Sequence, residues 1–241
     1  MFVDLVRVTK HIRTGTLVTS IPFRNPALLA RQALTVDHLS NGRLETGLGT
    51  GVSGERDTSC VMIGINNWNP SEQVTHFREV VEIVDKCLRN PVTDYQGRYY
   101  QLNNTCMAPL LVQKPIPPFV IGVLGPSMLK ITARYADTWK SFGGEMGIPS
   151  DVRLESTRLR NELLDKSFNK IGRDPQTLRH SLLVYGSEAR IVFNSEDDFQ
   201  KIVKRYLKVG INELIFYYPF NEEQIPKLKQ IAEKVIPKLR N

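Results

Sequence analysis

Short runs of β-type residues alternate with amphipathic helical segments along most of this chain. The clearest helical segment covers residues 70–88, whose apolar side chains fall on one helix face. The same patterns, with Asn25 and Ser195 as cap residues and glycines as stop signals, predict the other elements. The other predicted helices cover residues 2–11, 26–41, 126–136, 151–171, 196–210 and 221 onwards, and the predicted strands cover 13–20, 43–49, 118–124, 137–143, 178–186 and 212–219.

Two segments interrupt this alternation. Residues 50–69 show no periodicity, and residues 91–118 combine Pro, Asn and aromatic residues with a hairpin-like sequence at 97–102. Repeated strand–helix units predict an α/β fold with a parallel sheet covered by helices, either a doubly wound sheet or a TIM barrel. The pattern contains six strands and seven helices. A complete barrel needs eight strands, so the count is two short.

The composition is that of an ordinary globular protein. With 241 residues, of which 41% are hydrophobic, the chain can bury one large core without disulfides or metals. No apolar run approaches the roughly 20 residues that a membrane span needs, and the N-terminal residues lack the apolar block of a signal peptide. We therefore expect a cytoplasmic protein with no membrane partner.

The net charge is +7, and the Lys and Arg residues that produce it are spread among acidic residues along the whole chain. The longest basic stretch, residues 201–208, has apolar residues at helical spacing, which favours a solvated helix face over a nucleic-acid surface. The positive surplus also suits an anionic cofactor or substrate. Three cysteines and four histidines form no spaced cluster, so no metal site is predicted. Cys87 fits a small core position on its helix.

The sharpest local motif is the glycine-rich sequence at residues 47–51, at the end of a predicted strand. Residues 49–54 satisfy G-x-G-x-x-G, but a dinucleotide fingerprint requires a helix to begin at once, and an irregular stretch follows instead. Two interpretations remain. The glycines either let a flat or charged ligand approach the backbone at the strand end, or they form a tight structural turn.

A second candidate site lies at Gly125, Pro126 and Ser127, where a strand ends and a helix begins. Backbone N–H groups at the positive end of that helix suit a phosphate. Ser127 either donates its hydroxyl to the ligand or serves only as a helix-start residue. Arg24 and His38 are interpreted as structural, the first through a salt bridge and the second through packing.

The chain contains no nucleophile–histidine–acid triad, no paired-carboxylate site and no phosphate loop, as expected if a cofactor carries the chemistry. Together its motifs resemble the luciferase-like monooxygenase family of flavin-dependent oxidoreductases. The resemblance implies a single TIM-barrel domain over residues 1–241, with FMN or the 5-deazaflavin coenzyme F420 at the C-terminal mouth. The stretches that carry it are residues 13–51, 77–88, 97–102, 112–118, 125–139 and 210 onwards.

The resemblance also implies cofactor contacts at three strand ends. The first lies against the flavin ring, where relatives often have a strained or cis peptide. The second lies near the ribityl–phosphate side, and the third holds the phosphate through the start of a helix. The positions against the flavin ring are Leu17, Val18 and Thr19. Those near the ribityl–phosphate side are Thr50 and Gly51, and those that hold the phosphate are Gly125, Pro126 and Ser127.

The implied activity is monooxygenation of a small organic substrate with reduced FMN and O2. NAD(P)H or a flavin reductase would supply the electrons, and a homo-oligomer is expected. The alternatives are hydride transfer with coenzyme F420 and a non-catalytic flavin-binding protein. Trp139 and Phe142 either line the mouth or pack in the core, and residues 50–69 would shield the site from water.

Two departures from the family pattern limit these expectations. Relatives begin with a strand, a helix and a second strand before the helix at residue 2, and that second strand usually supplies a polar group that faces the flavin. No residue matches it, so no catalytic residue is assigned. We expect either a longer natural protein or a short chain whose open strand edges a partner subunit covers. Some F420-dependent sugar-phosphate dehydrogenases have Glu where this chain has Val52.

Overall fold

The computed structural model describes residues 2–51, 58–65, 68–143 and 148–239, without the side chains of residues 2 and 3. The chain forms two compact units, residues 1–138 and 139–241, so its organisation as one domain stays a prediction. The strands are β1 Thr14–Gly15, β2 Thr19–Ser20, β3 Leu44–Gly49, β4 Val92–Gln96, β5 Gln101–Cys106, β6 Phe119–Gly122, β7 Thr138–Ser141, β8 Arg179–Leu183 and β9 Glu213–Ile215. The α-helices are α1 Phe2–Val8, α2 Pro26–Leu39, α3 Thr58–Met62, α4 Pro70–Arg89, α5 Pro126–Tyr135, α6 Ser150–Ile171, α7 Ser187–Ile191, α8 Glu196–Leu207, α9 Ile225–Lys234 and α10 Ile236–Leu239.

The sheet of the first unit is parallel. β1 and β2 each pair with β3, and β3 pairs with β6. The predicted strands at 43–49 and 118–124 are therefore confirmed as parallel neighbours. This is the arrangement that the alternation of strands and helices requires.

The prediction of one continuous strand over residues 13–20 was wrong. Between β1 and β2 the chain crosses closely over two glycines of β3. A Cβ at Gly47 would lie 1.8 Å from the Thr16 carbonyl oxygen, and one at Gly49 would lie 2.3 Å from Val18 Cγ2. The backbone leaves the ladder there for three residues, and the peptide bond between Leu17 and Val18 is cis.

Two helices of the first unit, α2 and α4, begin at Asn-Pro pairs. Asn25 accepts hydrogen bonds from the backbone N–H groups of residues 27 and 28, as predicted for the cap of α2. Asn69 and Glu72 form a reciprocal capping box at the start of α4. α4 buries an apolar face that includes Phe77 and Val80, both fully inaccessible, and it packs against α2.

Asp37 on α2 anchors a segment that lies 75 residues away in sequence. Its buried carboxylate accepts hydrogen bonds from the backbone N–H of Val112 at 2.7 Å and of Gln113 at 3.1 Å. The side-chain Nε2 of Gln113 donates to the same carboxylate at 2.8 Å. One acidic side chain thus satisfies three donors that burial would otherwise leave unpaired.

We expect the Asp37→Ala substitution to lower the free energy of unfolding by about 3 kcal/mol, because it leaves buried donors without an acceptor. Urea denaturation followed by circular dichroism measures the change. Asp85→Ala is the matched control, since Asp85 makes a surface ion pair with Arg89 one helical turn away and such pairs contribute about 0.5 kcal/mol. Equal losses in the two variants would contradict this role for Asp37.

The segment at 91–118 contains the antiparallel hairpin β4–β5, but its prediction as an excursion from the core holds only in part, because Met107, Leu111 and Ile116 are buried. Buried Glu79 of α4 holds this hairpin by accepting the backbone N–H groups of Arg98 and Tyr99 at 2.8 and 2.9 Å. The prediction of purely irregular structure at 50–69 was wrong in part, because α3 lies within it. That helix has five residues, too few for a periodic pattern to show. Residues 52–57 and 66–67 lie outside the described residues.

In the second unit β7, β8 and β9 lie side by side in that order. β8 and β9 are parallel, with Ser181 opposite Glu213. Ser195 caps α8 and Gly172 ends α6 at a φ of 65°, both as predicted. The short helix α7 was not predicted. The core of this unit is formed by Leu182, Val184, Val192, Phe193, Phe199, Ile202, Val203, Tyr206, Ile211, Ile231 and Val235.

Two properties of the described residues bear on function. No helix among them is long and apolar enough to cross a membrane. Within the same residues, no group of three or more His, Cys, Asp or Glu side chains could hold a metal ion.

Candidate functional site

Three parallel strands of the first unit end side by side. Ser20 of β2 lies opposite Gly49 of β3, and Gly49 lies opposite Gly122 of β6. The segments that follow these residues therefore leave the same edge of the sheet. This edge, at the carboxyl ends of parallel strands, is where α/β folds place their ligand sites.

Residues 16–18, which lead into β2, present apolar side chains beside a glycine-lined strand. Leu17 is 43% exposed despite being apolar, and Val18 lies directly over Gly49. The hydroxyl oxygens of Thr16 and Thr19 are 2.9 Å apart and share a hydrogen bond. The resemblance implied a strained or cis peptide at this position, and the cis bond between Leu17 and Val18 confirms it.

Ser20, at the end of β2 and beside the turn that follows Gly49, has a buried polar atom with no partner among the described residues. Ser20 Oγ is inaccessible and makes no hydrogen bond within the described residues. A Cβ at Gly51 would lie 2.8 Å from that oxygen and 3.2 Å from Pro22 Cγ, and the φ of Gly51 is 71°. Both the space and the backbone conformation thus require glycine at this turn. A polar ligand atom near Gly51 would satisfy the Ser20 hydroxyl.

Thr50 is held by protein contacts on both sides. Its hydroxyl donates to the Gly51 carbonyl at 2.9 Å, and its carbonyl accepts from Gln73 Nε2 at 3.3 Å. Gln73 therefore connects the turn to the first part of α4. Sequence reasoning missed both Ser20 and Gln73. Ser20 was hidden within a strand predicted as continuous, and nothing distinguished Gln73 from other polar residues of its helix.

The segment that follows β6 leads into α5. Gly125 is the N-cap, no side chain caps the helix, and Gly125, Pro126 and Ser127 are all exposed. A Cβ at Gly125 would meet only Met128 Cγ, at 3.9 Å, so the approach to the helix start is open. The first N–H groups of a helix have no partner within it, and they lie at its positive end. The position thus has the donors that a phosphate requires.

An aromatic cluster lies at the start of α4, near Gln73. Trp68 stacks on His76 with ring centroids 5.0 Å apart, and the hydroxyl of Tyr100 hydrogen-bonds His76 Nε2 at 2.8 Å. Burial lowers the pKa of His76, so the ring is neutral at pH 7. Tyr99 packs edge-on against Trp68. The cluster fixes the beginning of α4 without adding charge beside the strand ends.

The other residues singled out in the sequence are structural or unpaired. Trp139 is fully buried with its ring edge-on to His180, which is core packing. His38 is exposed, and its Nε2 hydrogen-bonds the Leu110 carbonyl at 2.8 Å. Arg24 was expected to form a salt bridge, but it makes none with the described residues; among them, its guanidinium donates to the Phe23 carbonyl.

Three positions remain. Cys87 is fully buried, as predicted, and burial raises the pKa of its thiol. Phe142 is partly exposed beyond β7 in the second unit. Val52 lies outside the described residues.

The chain matches the model of the luciferase-like monooxygenase family over residues 5–227. It is 25% identical to an F420-dependent glucose-6-phosphate dehydrogenase of Amycolatopsis mediterranei, over 96% of this chain and 80% of that protein. It is also 30% identical to the oxygenase component of a flavin-dependent trigonelline monooxygenase of Acinetobacter baylyi. That alignment covers 52% of this chain and only 33% of the relative.

The same fold occurs in a solved F420-dependent secondary alcohol dehydrogenase. The two structures superpose with a TM-score of 0.80 at 15% identity, over 99% of this chain and 82% of the other. The chain therefore belongs to the luciferase-like monooxygenase family, as its motifs indicated. The predicted fold class, an α/β fold of the TIM-barrel type, is confirmed. The relatives are oxidoreductases that use either a flavin or coenzyme F420.

Proposed function

We propose that the first unit binds FMN at the ends of β2, β3 and β6 and that the protein is a flavin-dependent monooxygenase of a small organic substrate. The observation that carries this proposal is the unpaired, buried hydroxyl of Ser20 beside Gly51. It lies at the strand edge that also presents apolar side chains and an uncapped helix start. A flat ring with polar edges and a phosphate tail has the chemistry to use all three features.

Each part of the edge has a role toward that cofactor. Leu17 and Val18 provide an apolar surface for one ring face, and Thr19 adds a hydroxyl beside it. Ser20 donates its unpaired hydroxyl to a polar atom, and Gly51 leaves room for that atom to approach. The phosphate binds the N–H groups at the start of α5, with Gly125 and Pro126 shaping the turn and Ser127 adding a hydroxyl donor.

Bound FMN supplies two-electron redox chemistry with oxygen, and the residues of the chain bind it, orient it and exclude water. Membership of the monooxygenase family supports this form of the reaction, as does the Acinetobacter relative, which is named as an oxygenase component. Electrons come from NAD(P)H, directly or through a separate flavin reductase. We propose that the active form is a homo-oligomer.

Hydride transfer with coenzyme F420 is the second candidate. The relative aligned over nearly the whole chain, and the solved alcohol dehydrogenase, are both F420-dependent. The apolar surface, the unpaired hydroxyl and the uncapped helix suit either ring system. The two functions differ in their use of oxygen, because only a monooxygenase consumes it with the substrate.

Oxygen uptake distinguishes the two. The chain is combined with FMN, NADH and a flavin reductase, and small organic compounds are added one at a time. A monooxygenase consumes oxygen together with one of these compounds, beyond the uptake of the reductase alone. Anaerobic reduction of coenzyme F420 by a secondary alcohol or a sugar phosphate would instead identify the hydride-transfer function. If the chain binds the cofactor but shows neither activity, it is a binding protein, and the proposed reaction is contradicted.

We expect Gly51→Val to weaken FMN binding at least about tenfold, because the new side chain clashes with Ser20 Oγ and fills the gap. Ser20→Ala should weaken it several-fold by removing one donor. Gly172→Val is the matched control, since Gly172 has a similar positive φ but no atom within 4 Å of its Cβ position. Quenching of FMN fluorescence measures the dissociation constants. An unchanged constant in Gly51→Val would rule out this placement of the cofactor.

A further inference from the structure

A cavity of about 290 Å³ lies between α2 and the strands β2 and β3, and we call it the α2–β3 cavity. Its walls are mostly apolar, with α2 on one side and β3 on the other. Its volume is near the lower end of the range for small-molecule pockets. The lining residues are Thr16, Thr19, Arg24, Leu29, Gln32, Ala33, Val36, Leu44, Glu45 and Thr46.

A buried hydroxyl in this wall has no partner. Thr46 is 5% exposed, and its Oγ1 makes no hydrogen bond within the described residues. Its backbone N–H is already used, because it donates to the Pro118 carbonyl at 2.8 Å. Buried hydroxyls are nearly always paired, with protein, water or a ligand. The side chain therefore offers a donor to a molecule in the cavity.

A cation without a counter-charge also lines the cavity. Among the described residues, the Arg24 guanidinium contacts no carboxylate and donates only to the adjacent Phe23 carbonyl at 3.2 Å. The acidic residue of the lining, Glu45, is already paired with Arg13 at 2.8 Å. The uncompensated charge of the lining is thus positive. Guanidinium groups bind carboxylates through paired, charge-assisted hydrogen bonds.

We propose that the α2–β3 cavity binds a small amphipathic carboxylate. Its hydrocarbon body lies against Leu29, Ala33 and Val36, its carboxylate pairs with Arg24, and Thr46 donates a further hydrogen bond. The site uses no atom of a redox cofactor, so it stands independently of the proposed function, although Thr19 borders both sites.

Calorimetric titration without cofactor tests this, using octanoate with octylamine and 1-octanol as probes of equal chain length. We expect octanoate to bind one per chain, at least about tenfold more tightly than either of the others. Arg24→Gln should reduce octanoate affinity about tenfold and Thr46→Val several-fold, while Ala33→Leu should block binding by filling the cavity. Arg134→Gln, on α5, is the matched control and should bind as the wild type does.

Several outcomes would overturn the proposal. These are an absence of octanoate binding, equal binding of all three probes, or an affinity unchanged in both Arg24→Gln and Ala33→Leu. Concentration-dependent dimerisation that Ala33→Leu abolishes would show a second copy in the cavity instead. FMN titration of the same variants separates the two proposals, because Arg24→Gln should leave FMN affinity unchanged. Octanoate binding in a chain that fails to bind FMN would contradict only the cofactor site.

Discussion

Replacement of Lys140 by methionine is expected to raise the free energy of unfolding by about 3 kcal/mol at pH 6, and by progressively less above pH 7. Lys140 of β7 is fully buried, and the only hydrogen bond that its side-chain amine makes within the described residues is to Ser181 Oγ at 3.2 Å. Burial lowers its pKa from 10.5 to about 7, and the Glu213 carboxylate opposes this only in part. A buried amine with one neutral partner is costly to charge, and methionine has a similar length without a charge.

The pH dependence has a definite sign. The unfolded chain keeps the Lys140 proton up to about pH 10.5, whereas the folded chain releases it near pH 7. Between these values the unfolded state binds more protons, so the wild-type protein gains stability as the pH rises. The penalty is complete below pH 7 and absent above pH 10.5. The difference between the variant and the wild type should shrink accordingly.

Urea denaturation at intervals from pH 6 to pH 10 measures this difference. Lys201→Met is the matched control, because Lys201 is exposed and pairs with Asp197 on the surface of α8. It should show no comparable change in that range. A stability difference for Lys140→Met that stays constant with pH would mean that the amine does not titrate there.

The Glu188→Ala variant is expected to lose about 3 kcal/mol of unfolding free energy. Glu188 is buried and accepts hydrogen bonds from the Tyr206 hydroxyl at 2.6 Å and from Arg205 at 3.1 Å. The guanidinium of Arg153, which is also buried, lies 3.6 Å away. Removal of the carboxylate leaves one buried cation without its counter-ion, and such losses are large. Burial and this same carboxylate raise the pKa of Tyr206.

Glu155→Ala provides the comparison, because Glu155 pairs with Arg158 at 2.6 Å on the exposed face of α6. Solvent screening makes such a pair weak, so this variant should unfold close to the wild type. Thermal and urea denaturation of both variants measure the contrast. A small loss in Glu188→Ala would show that water replaces the carboxylate and that Arg153 is not isolated.

The positions of the longer helices were predictable because their signals are local, whereas the five-residue helices α3 and α7 were missed. An apolar face repeating at helical spacing, with Asn25, Ser195 and Gly172 at helix ends, needs no tertiary contact to be recognised. The interruption between β1 and β2 was not predictable in this way. It results from close contact with Gly47 of another strand, and sequence spacing does not encode that contact.

The residues of the candidate site likewise fall into those that the sequence indicated and those that it did not. The glycine turn at Gly51 and the helix start at Gly125 were visible because glycine and proline mark special backbone positions. Ser20 was not visible, because its importance comes from burial without a partner among the described residues. That Arg24 has no ion pair with the described residues likewise appears only in three dimensions, since a salt bridge was the expected role at its position before a helix. Whether a polar or charged side chain finds a partner depends on how the folded chain packs around it.

Titration of the purified chain with FMN and with coenzyme F420 tests the central claim most directly. If the ends of β2, β3 and β6 form a cofactor site, the fluorescence of at least one of the two should change and saturate at one molecule per chain. Gly51→Val should lose this response, while Gly172→Val should keep it. No response to either cofactor, in a chain shown by circular dichroism to be folded, would contradict the account.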